Sequence, residues 1–302
     1  ATTGDALVGA EGEDGTWGGA SVSFPRIQGA DAVGTVIRVG DGVTHSLIGR
    51  RVIIDGWLRD WNDPLNREKA GYFGSECDGG YAQYTKVSHQ QVHPVDTTMS
   101  DAELATFACS YVTAENMLNR AAVTDEDTVL ITGASGGVGS ALIQLANRRG
   151  AKCVALCGAG KADAVKAVGP LAVIDRASAN LGSALHDAIG NDSVDVVADV
   201  VGGVLWPQLI NALTRGGRYT CAGAIGGPIV EFDLRTFYLR DLTFTGATVP
   251  PPGVFQDLIG YIERDEIQPL LAATYPLEEL HTAQQAFIDK RHVGNIVVEP
   301  FV

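Results

Sequence analysis

Cysteine is scarce, cations are outnumbered, and no apolar stretch is long enough to cross a bilayer. The five cysteines among 302 residues, Cys77, Cys109, Cys153, Cys157 and Cys221, are odd in number and scattered. A small secreted domain would carry an even, dense set, so these are read as free thiols. Lys and Arg total 22 against 36 Asp and Glu, a net charge of −14. No cluster of cations is dense enough to track a phosphate backbone, which argues against nucleic acid as a partner. No uninterrupted apolar run approaches the ~18 residues of a membrane helix, and no basic-then-apolar segment opens the chain. A cytoplasmic protein without a membrane partner is expected. Disorder as the general state is excluded by 45% hydrophobic and 19% charged residues. At roughly 100–200 residues per domain, the length predicts about two domains.

Metal-ligand patterns are also thin. Cys153 and Cys157 lie on an apolar run that reads as a strand, where four steps of ~3.3 Å put them ~13 Å apart, too far for one ion. His89 and His93 flank Gln90 and Gln91 where a zinc-protease helix would need its Glu, and their segment reads as extended, so both are expected to be solvated strand residues.

What is present falls into two patterns. The first ~25 residues are rich in Gly, Ala and acidic residues with little periodicity, which predicts a loop or mobile arm. Short apolar runs follow, Val33–Val39 and Val52–Ile54, with Asp41-Gly42 as a turn signal between them, and they predict antiparallel β-structure. The stretch from Gly56 to Gly80 carries Trp57, Trp61, Tyr72 and Phe73 and suits either a pocket-lining loop or a covered insertion. Ser100 with Glu103 forms a capping box that opens a helix running toward Cys109.

From Thr128 the rhythm changes to alternating strand and helix: Val129–Ile131, Gly137–Arg149, Cys153–Leu156, Lys161–Val168, Val173–Ile174, Leu181–Ile189, Val194–Val197, Leu205–Leu213 and Arg218–Cys221. Such βαβ units form a parallel sheet covered on both faces, and right-handed crossovers make it doubly wound. Leu242–Thr245 adds a further strand. After Pro250-Pro251-Pro252-Gly253 come two amphipathic helices, Val254–Arg264 and Leu277–Ile288, and a last strand, Asn295–Val298.

The chemistry concentrates at Thr132-Gly133-Ala134-Ser135-Gly136-Gly137-Val138-Gly139, a glycine turn joining a buried strand to a helix. Read from Ala134 it is A-x-G-x-x-G. Gly136 lets the backbone approach a pyrophosphate, Gly139 lets helix and strand pack closely, and the helix N-terminus offers N–H groups and positive potential to phosphates. The same letters match G-x-S-x-G, a hydrolase nucleophile elbow with Ser135 as nucleophile and Asp199 and His281 following. The antiparallel chain before the turn disfavours that reading. An NAD site keeps an acid about 20 residues past the turn for the ribose hydroxyls. No Asp or Glu occurs between Gly139 and Asp163, while Lys161 and Arg176 supply cations near the ends of the second and third strands. This charge pattern predicts NADP.

An ordered series of motifs then carries a resemblance: Gly29-Ala30-Asp31-Ala32-Val33-Gly34, Val39-Gly40-Asp41-Gly42-Val43, Ile48-Gly49-Arg50-Arg51-Val52, Gly79-Gly80-Tyr81-Ala82-Gln83-Tyr84, Thr113-Ala114, the Gly133–Gly139 turn, Asp199-Val200-Val201-Gly202-Gly203, Gly216-Gly217-Arg218 and Gly294-Asn295-Ile296-Val297. The chain resembles the medium-chain dehydrogenase/reductase superfamily, on the side of its zinc-independent quinone oxidoreductases. That resemblance implies an α/β fold, a Rossmann domain over 114–248 and a GroES-like β-barrel domain from 1–113 and 249–302. It implies cofactor contacts from Thr113, Ser135, Gly136, Gly137, Val138, Gly139, Lys161, Arg176, Gly223, Ala224 and Ile225, and a homodimer. Zinc alcohol dehydrogenases place a His where Ala30 stands. Cys109 matches a zinc-ligand position, but one thiol makes no site, so no metal is expected and Cys109 is read as a buried hydrophobe beside the substrate pocket. Only 28 residues precede Gly29 and there is no initiator Met, so the family's opening strands are expected to be missing. The implied activity is NADPH-dependent hydride transfer to a small quinone, enone or similarly activated carbonyl, with Tyr111 as a candidate oxyanion donor or a core residue. A zinc alcohol dehydrogenase and a non-enzymatic NADPH-binding protein stand as alternatives.

Overall fold

A computed structural model describes residues 23–300; the expected N-terminal arm lies largely outside them. Its contacts divide the chain into two compact units, Thr113–Pro250 and the remainder, which is built from both chain ends. No helix among the described residues is long and apolar enough to cross a membrane.

In the central unit six strands form one parallel sheet: β1 (Thr128–Ile131), β2 (Lys152–Cys157), β3 (Ala172–Asp175), β4 (Val194–Asp199), β5 (Leu213–Cys221) and β6 (Thr243–Gly246). Their spatial order is β6-β5-β4-β1-β2-β3, the doubly wound arrangement in which chain order reverses between β1 and β4. The strands are buried on both faces: Val129, Leu130, Ile131, Cys153, Val154, Ala155, Val196 and Val197 are all fully buried. At ~1.5–3 kcal/mol for each large apolar side chain, such strands hold the sheet. Cys153 and Cys157 sit in this core, and burial pushes the Cys153 thiol up to about 12. Helices α1 (Gly137–Arg148), α2 (Ala162–Lys166), α3 (Leu181–Ile189), α4 (Trp206–Asn211) and α5 (Leu234–Leu239) supply the crossovers. The sequence pattern anticipated four of them. It missed α5, a six-residue helix with no buried residue and hence no apolar stripe.

A polar hub lies within this sheet. Asp199, fully buried at the end of β4, accepts hydrogen bonds from the Thr132 hydroxyl at 2.5 Å and the Tyr219 hydroxyl at 2.6 Å. The backbone N–H groups of Val201 and Gly202 also donate to it, at 2.8 and 3.1 Å. Thr132 in turn accepts from Val200 N–H. One carboxylate therefore ties together the carboxyl ends of β1, β4 and β5.

The second unit holds a three-stranded antiparallel sheet of Val33–Thr35, Arg51–Ile54 and Val92–Pro94. A short antiparallel hairpin joins Trp57–Leu58 to Gly71–Tyr72, and a parallel pair joins Leu271–Pro276 to Asn295–Glu299. The capping box expected at Ser100 and Glu103 forms, but its helix, Asp101–Leu104, is short. A separate helix runs from Ala108 to Arg120, well beyond the expected end. The strand Leu271–Pro276 escaped the sequence reading because Pro269 and Pro276 bracket it and its burial is only partial. The histidines differ from expectation too. His89 lies on a 3-10 turn, and His93, on its strand, packs its ring 4.6 Å from Phe255. The His93 Nε2 is buried with no partner among the described residues.

Two outcomes test these features. Asp199→Ala leaves two buried hydroxyls and two backbone N–H groups without their acceptor and is expected to destabilise the protein by about 3 kcal/mol or more in urea unfolding. Burial lowers the His93 pKa from 6.5 to about 4, so its neutral form is favoured in the fold. Stability from this group is full above about 6.5 and drains away as pH falls toward 4, by on the order of 2 kcal/mol. His93→Phe is expected to flatten that slope, measured as unfolding free energy against pH.

Candidate active site

The glycine turn after β1 shows why each glycine is there. Gly133 has φ +58°, and a Cβ on it would stand 2.9 Å from Val200 Cγ2. A Cβ on Gly139 would lie 2.2 Å from the Gly133 carbonyl oxygen, so α1 crosses the turn at a distance only glycine permits. Gly136 is different. Its φ is −88° and an added Cβ would meet nothing nearer than the Gly133 oxygen at 3.4 Å. The protein's own packing does not require glycine there, and its bare backbone is open to a ligand. No side chain caps α1, so the first-turn N–H groups from Gly137 through Gly139 have no intrahelical acceptor. A pyrophosphate fits this cradle by both shape and charge.

The other proposed cofactor residues fall at the same edge. The loop after β4 and the loop after β5 are joined by Gly226 N–H to Val201 O at 2.7 Å and Gly203 N–H to Gly227 O at 3.0 Å. Gly223 packs against Val200, whose carbonyl oxygen would be 3.1 Å from an added Cβ. Ala224 and Ile225 are both exposed. All of these lie at the carboxyl end of the sheet beside the switch point, where open α/β sheets bind ligands. Thr113 lies half-buried on the helix Ala108–Arg120.

Lys161 and Arg176 are brought together at the ends of β2 and β3. Arg176 N–H donates to Cys157 O at 2.8 Å and Lys161 N–H to Gly158 O at 2.9 Å. Partial burial lowers the Lys161 pKa, and the Arg176 charge lowers it further. The reading of acids in the sequence stopped short of Asp175, which stands in register with Cys157 on the neighbouring strand. Its carboxylate accepts Ala177 N–H at 3.0 Å within its own turn.

This geometry overturns the hydrolase alternative. Ser135 lies in the turn, but Asp199, the acid that reading needs, is fully buried and bonded to Thr132, Tyr219 and backbone N–H groups. It orients no histidine.

In the second unit, the Gly29-Ala30-Asp31 segment and Cys109 come together. Asp31 accepts the Cys109 backbone N–H, and burial pushes its carboxyl up to about 6. The Tyr72 hydroxyl donates to the Cys109 sulfur, and burial first, then Cys109 and Asp31, raise the phenol's pKa well above its usual value. Tyr72 is braced by Trp57, ring centroids 4.6 Å apart and edge-on. Gly56 lies beneath it, where a Cβ would be 3.0 Å from the ring. Nearby, Asp55 pairs with Arg59 at 3.5 Å with both side chains 2% exposed. The aromatic stretch thus contributes both core and site: Phe73 is fully buried, while Tyr72 joins the polar cluster. Cys109 is half-buried and hydrogen-bonded, not the plain core hydrophobe expected. No three His, Cys, Asp or Glu among the described residues are placed to hold a metal. Tyr111 is 1% exposed, and its hydroxyl donates to Gln268 O at 2.7 Å, a core role that leaves no donor for a substrate. Sequence reading missed Tyr72 because nothing local marks a tyrosine whose partner lies 37 positions away.

Comparison with known proteins agrees with both halves. Residues 6–97 match the model of the alcohol dehydrogenase GroES-like domain, and residues 137–264 that of zinc-binding dehydrogenases. A crystal structure from Sinorhizobium meliloti 1021, assigned as an alcohol dehydrogenase, superposes with a TM-score of 0.89 at 46% identity, over 93% of this chain and 77% of that one. The acryloyl-coenzyme A reductase of Metallosphaera sedula is 29% identical over 92% of this chain and 84% of its own. A Streptomyces 2-octenoyl-coenzyme A carboxylase reductase, solved with NADP and 2-octenoyl-coenzyme A, has a TM-score of 0.85 at 27% identity, over 90% of this chain and 68% of that one. A doubly wound sheet with a dinucleotide turn, a GroES-like unit made from both chain ends, and these matches along nearly the whole chain make it an oxidoreductase of the medium-chain dehydrogenase/reductase superfamily.

Proposed function

We propose that this oxidoreductase uses NADPH to reduce a small conjugated carbonyl, an enone or an enoyl thioester, or a quinone, without a catalytic zinc. The observation that carries this reading is the Lys161 and Arg176 pair beside Gly158, where an NAD enzyme would keep its acid. A 2′-phosphate with charge near −2 neutralises two cations that otherwise repel each other. Thr113, Ser135, Gly136, Gly137, Val138 and Gly139 hold the pyrophosphate and nicotinamide ribose in this reading, and Gly223, Ala224 and Ile225 lie toward the nicotinamide. Cys109 lines the substrate pocket. The acyl-coenzyme A relatives support an unsaturated thioester among the acceptors. Ala30 in place of a ligand histidine, with no metal cluster among the described residues, supports hydride transfer without a Lewis acid. When bound, the nicotinamide supplies the hydride; the protein's part is orientation, a dry pocket and a donor for the developing oxyanion.

A homodimer belongs to the same reading. Strand β6 is a sheet edge, and Ile225, Ile229, Leu234, Tyr238 and Leu239 on the preceding segment are all more than half exposed. An exposed apolar set beside an open edge marks a surface for a second copy.

Fluorescence titration is expected to show NADPH bound at least tenfold more tightly than NADH, about 1.4 kcal/mol. Arg176→Ala and Lys161→Ala should each erase most of that preference, and Gly158→Asp should reverse it, since its carboxylate would face the cation pair with only Arg176 Nε, 3.8 Å from the new Cβ, as neighbour. Equal affinities in the wild type would discard the NADPH assignment. Light scattering is expected to give twice the chain mass, and a monomer at micromolar concentration would remove the dimer.

A further inference from the structure

Thr132 is the single residue between β1 and the glycine turn, and it is fully buried. Its hydroxyl is used in both directions: it donates to Asp199 at 2.5 Å and accepts the Val200 backbone N–H at 3.0 Å. Asp199 in turn takes the N–H groups of Val201 and Gly202. Three consecutive amides of the loop after β4 are therefore fixed to the end of β1, one by the hydroxyl and two by the carboxylate bonded to it. That loop holds the next one, since Val201 O accepts Gly226 N–H at 2.7 Å and Gly203 N–H donates to Gly227 O at 3.0 Å. The glycine turn needs none of this. Ala134 N–H donates to Leu156 O at 3.2 Å, Gly136 N–H donates to Gly133 O at 2.9 Å, and α1 rests on the turn at Gly139.

We propose that the Thr132 hydroxyl is a positioning group for the nicotinamide half of the dinucleotide: it sets the loops after β4 and β5 against the phosphate turn, while the adenosine half binds without it. The inference rests on the NADPH reading above, which puts the phosphates at Gly136–Gly139 and the nicotinamide toward Gly223, Ala224 and Ile225. The strand itself does not ask for the hydroxyl, because the Thr132 backbone N–H continues the ladder to Ala198 O at 3.1 Å. A residue without it offers Val200 N–H no acceptor and gives Asp199 one donor fewer, so the two loops lose their fixed spacing from the turn.

The test compares the wild type with Thr132→Ser, Thr132→Val and Thr132→Ala. NADPH is followed by fluorescence titration, and adenosine 2′,5′-bisphosphate, which carries the 2′-phosphate and a 5′-phosphate but no nicotinamide, by calorimetry. Valine and alanine bracket threonine in size, so a loss common to both tracks the hydroxyl and not the packing. Both are expected to bind NADPH about tenfold more weakly, with a lower fluorescence yield per bound NADPH, and to bind the bisphosphate within about twofold of the wild type. Serine is expected to keep NADPH affinity within about twofold. Should Thr132→Val fail to fold, Thr132→Ala against Thr132→Ser, which are alike in size, decides the same question. Equal losses for the two ligands overturn the proposal, and so does a loss that serine shares with alanine, since either is what a general packing defect produces. Unchanged NADPH binding by the variants without a hydroxyl overturns it too. A wild type that binds neither ligand defeats the NADPH reading, and this inference with it.

Discussion

The central unit depends on one buried carboxylate. Asp199 sits where β4 ends and gathers donors from β1, β5 and the loop that follows it. A buried carboxyl group is tolerable only when its polar atoms are hydrogen-bonded, and here those bonds fix the geometry of the strand ends. Thr132 is held one residue before the glycine turn, and Val200, held through Thr132, is the residue against which Gly133 and Gly223 pack. Tyr219 carries the same constraint outward into an aromatic cluster, with Trp206 at 4.8 Å and Phe244 at 5.5 Å. The strand end behind the open backbone at Gly136 is thereby tied down.

Around this rigid edge, strand pairing decides which charges meet. Lys161 and Arg176 are 15 positions apart in sequence, yet parallel pairing of β2 and β3 brings their backbones to adjacent strand ends. Partial burial and the Arg176 charge both lower the Lys161 pKa. In the second unit, Asp31, Asp55 and Tyr72 are held in low-dielectric surroundings that favour their neutral forms, with Arg59 opposing the effect at Asp55.

The sequence alone determined the fold class, the parallel strands and most of their helices, because buried parallel strands read as uninterrupted apolar runs and helices as 3.6-residue stripes. It also determined the dinucleotide turn, since Gly133 and Gly139 are demanded by contacts a few residues away. Local chemistry likewise made the capping box at Ser100 legible. Weakly amphipathic elements such as α5 and Leu271–Pro276 left no comparable trace, and His93 looked solvated because its cover, Phe255, lies far along the chain. Only the tertiary structure decided which side chains meet: that Tyr111 gives its hydroxyl to Gln268, that Asp199 is a structural hub and not a catalytic acid, and that Asp31 accepts from the Cys109 backbone. Periodicity and turn chemistry act over a few residues, whereas hydrogen-bond partners and the fields that shift ionisation act through space between segments that only folding brings together.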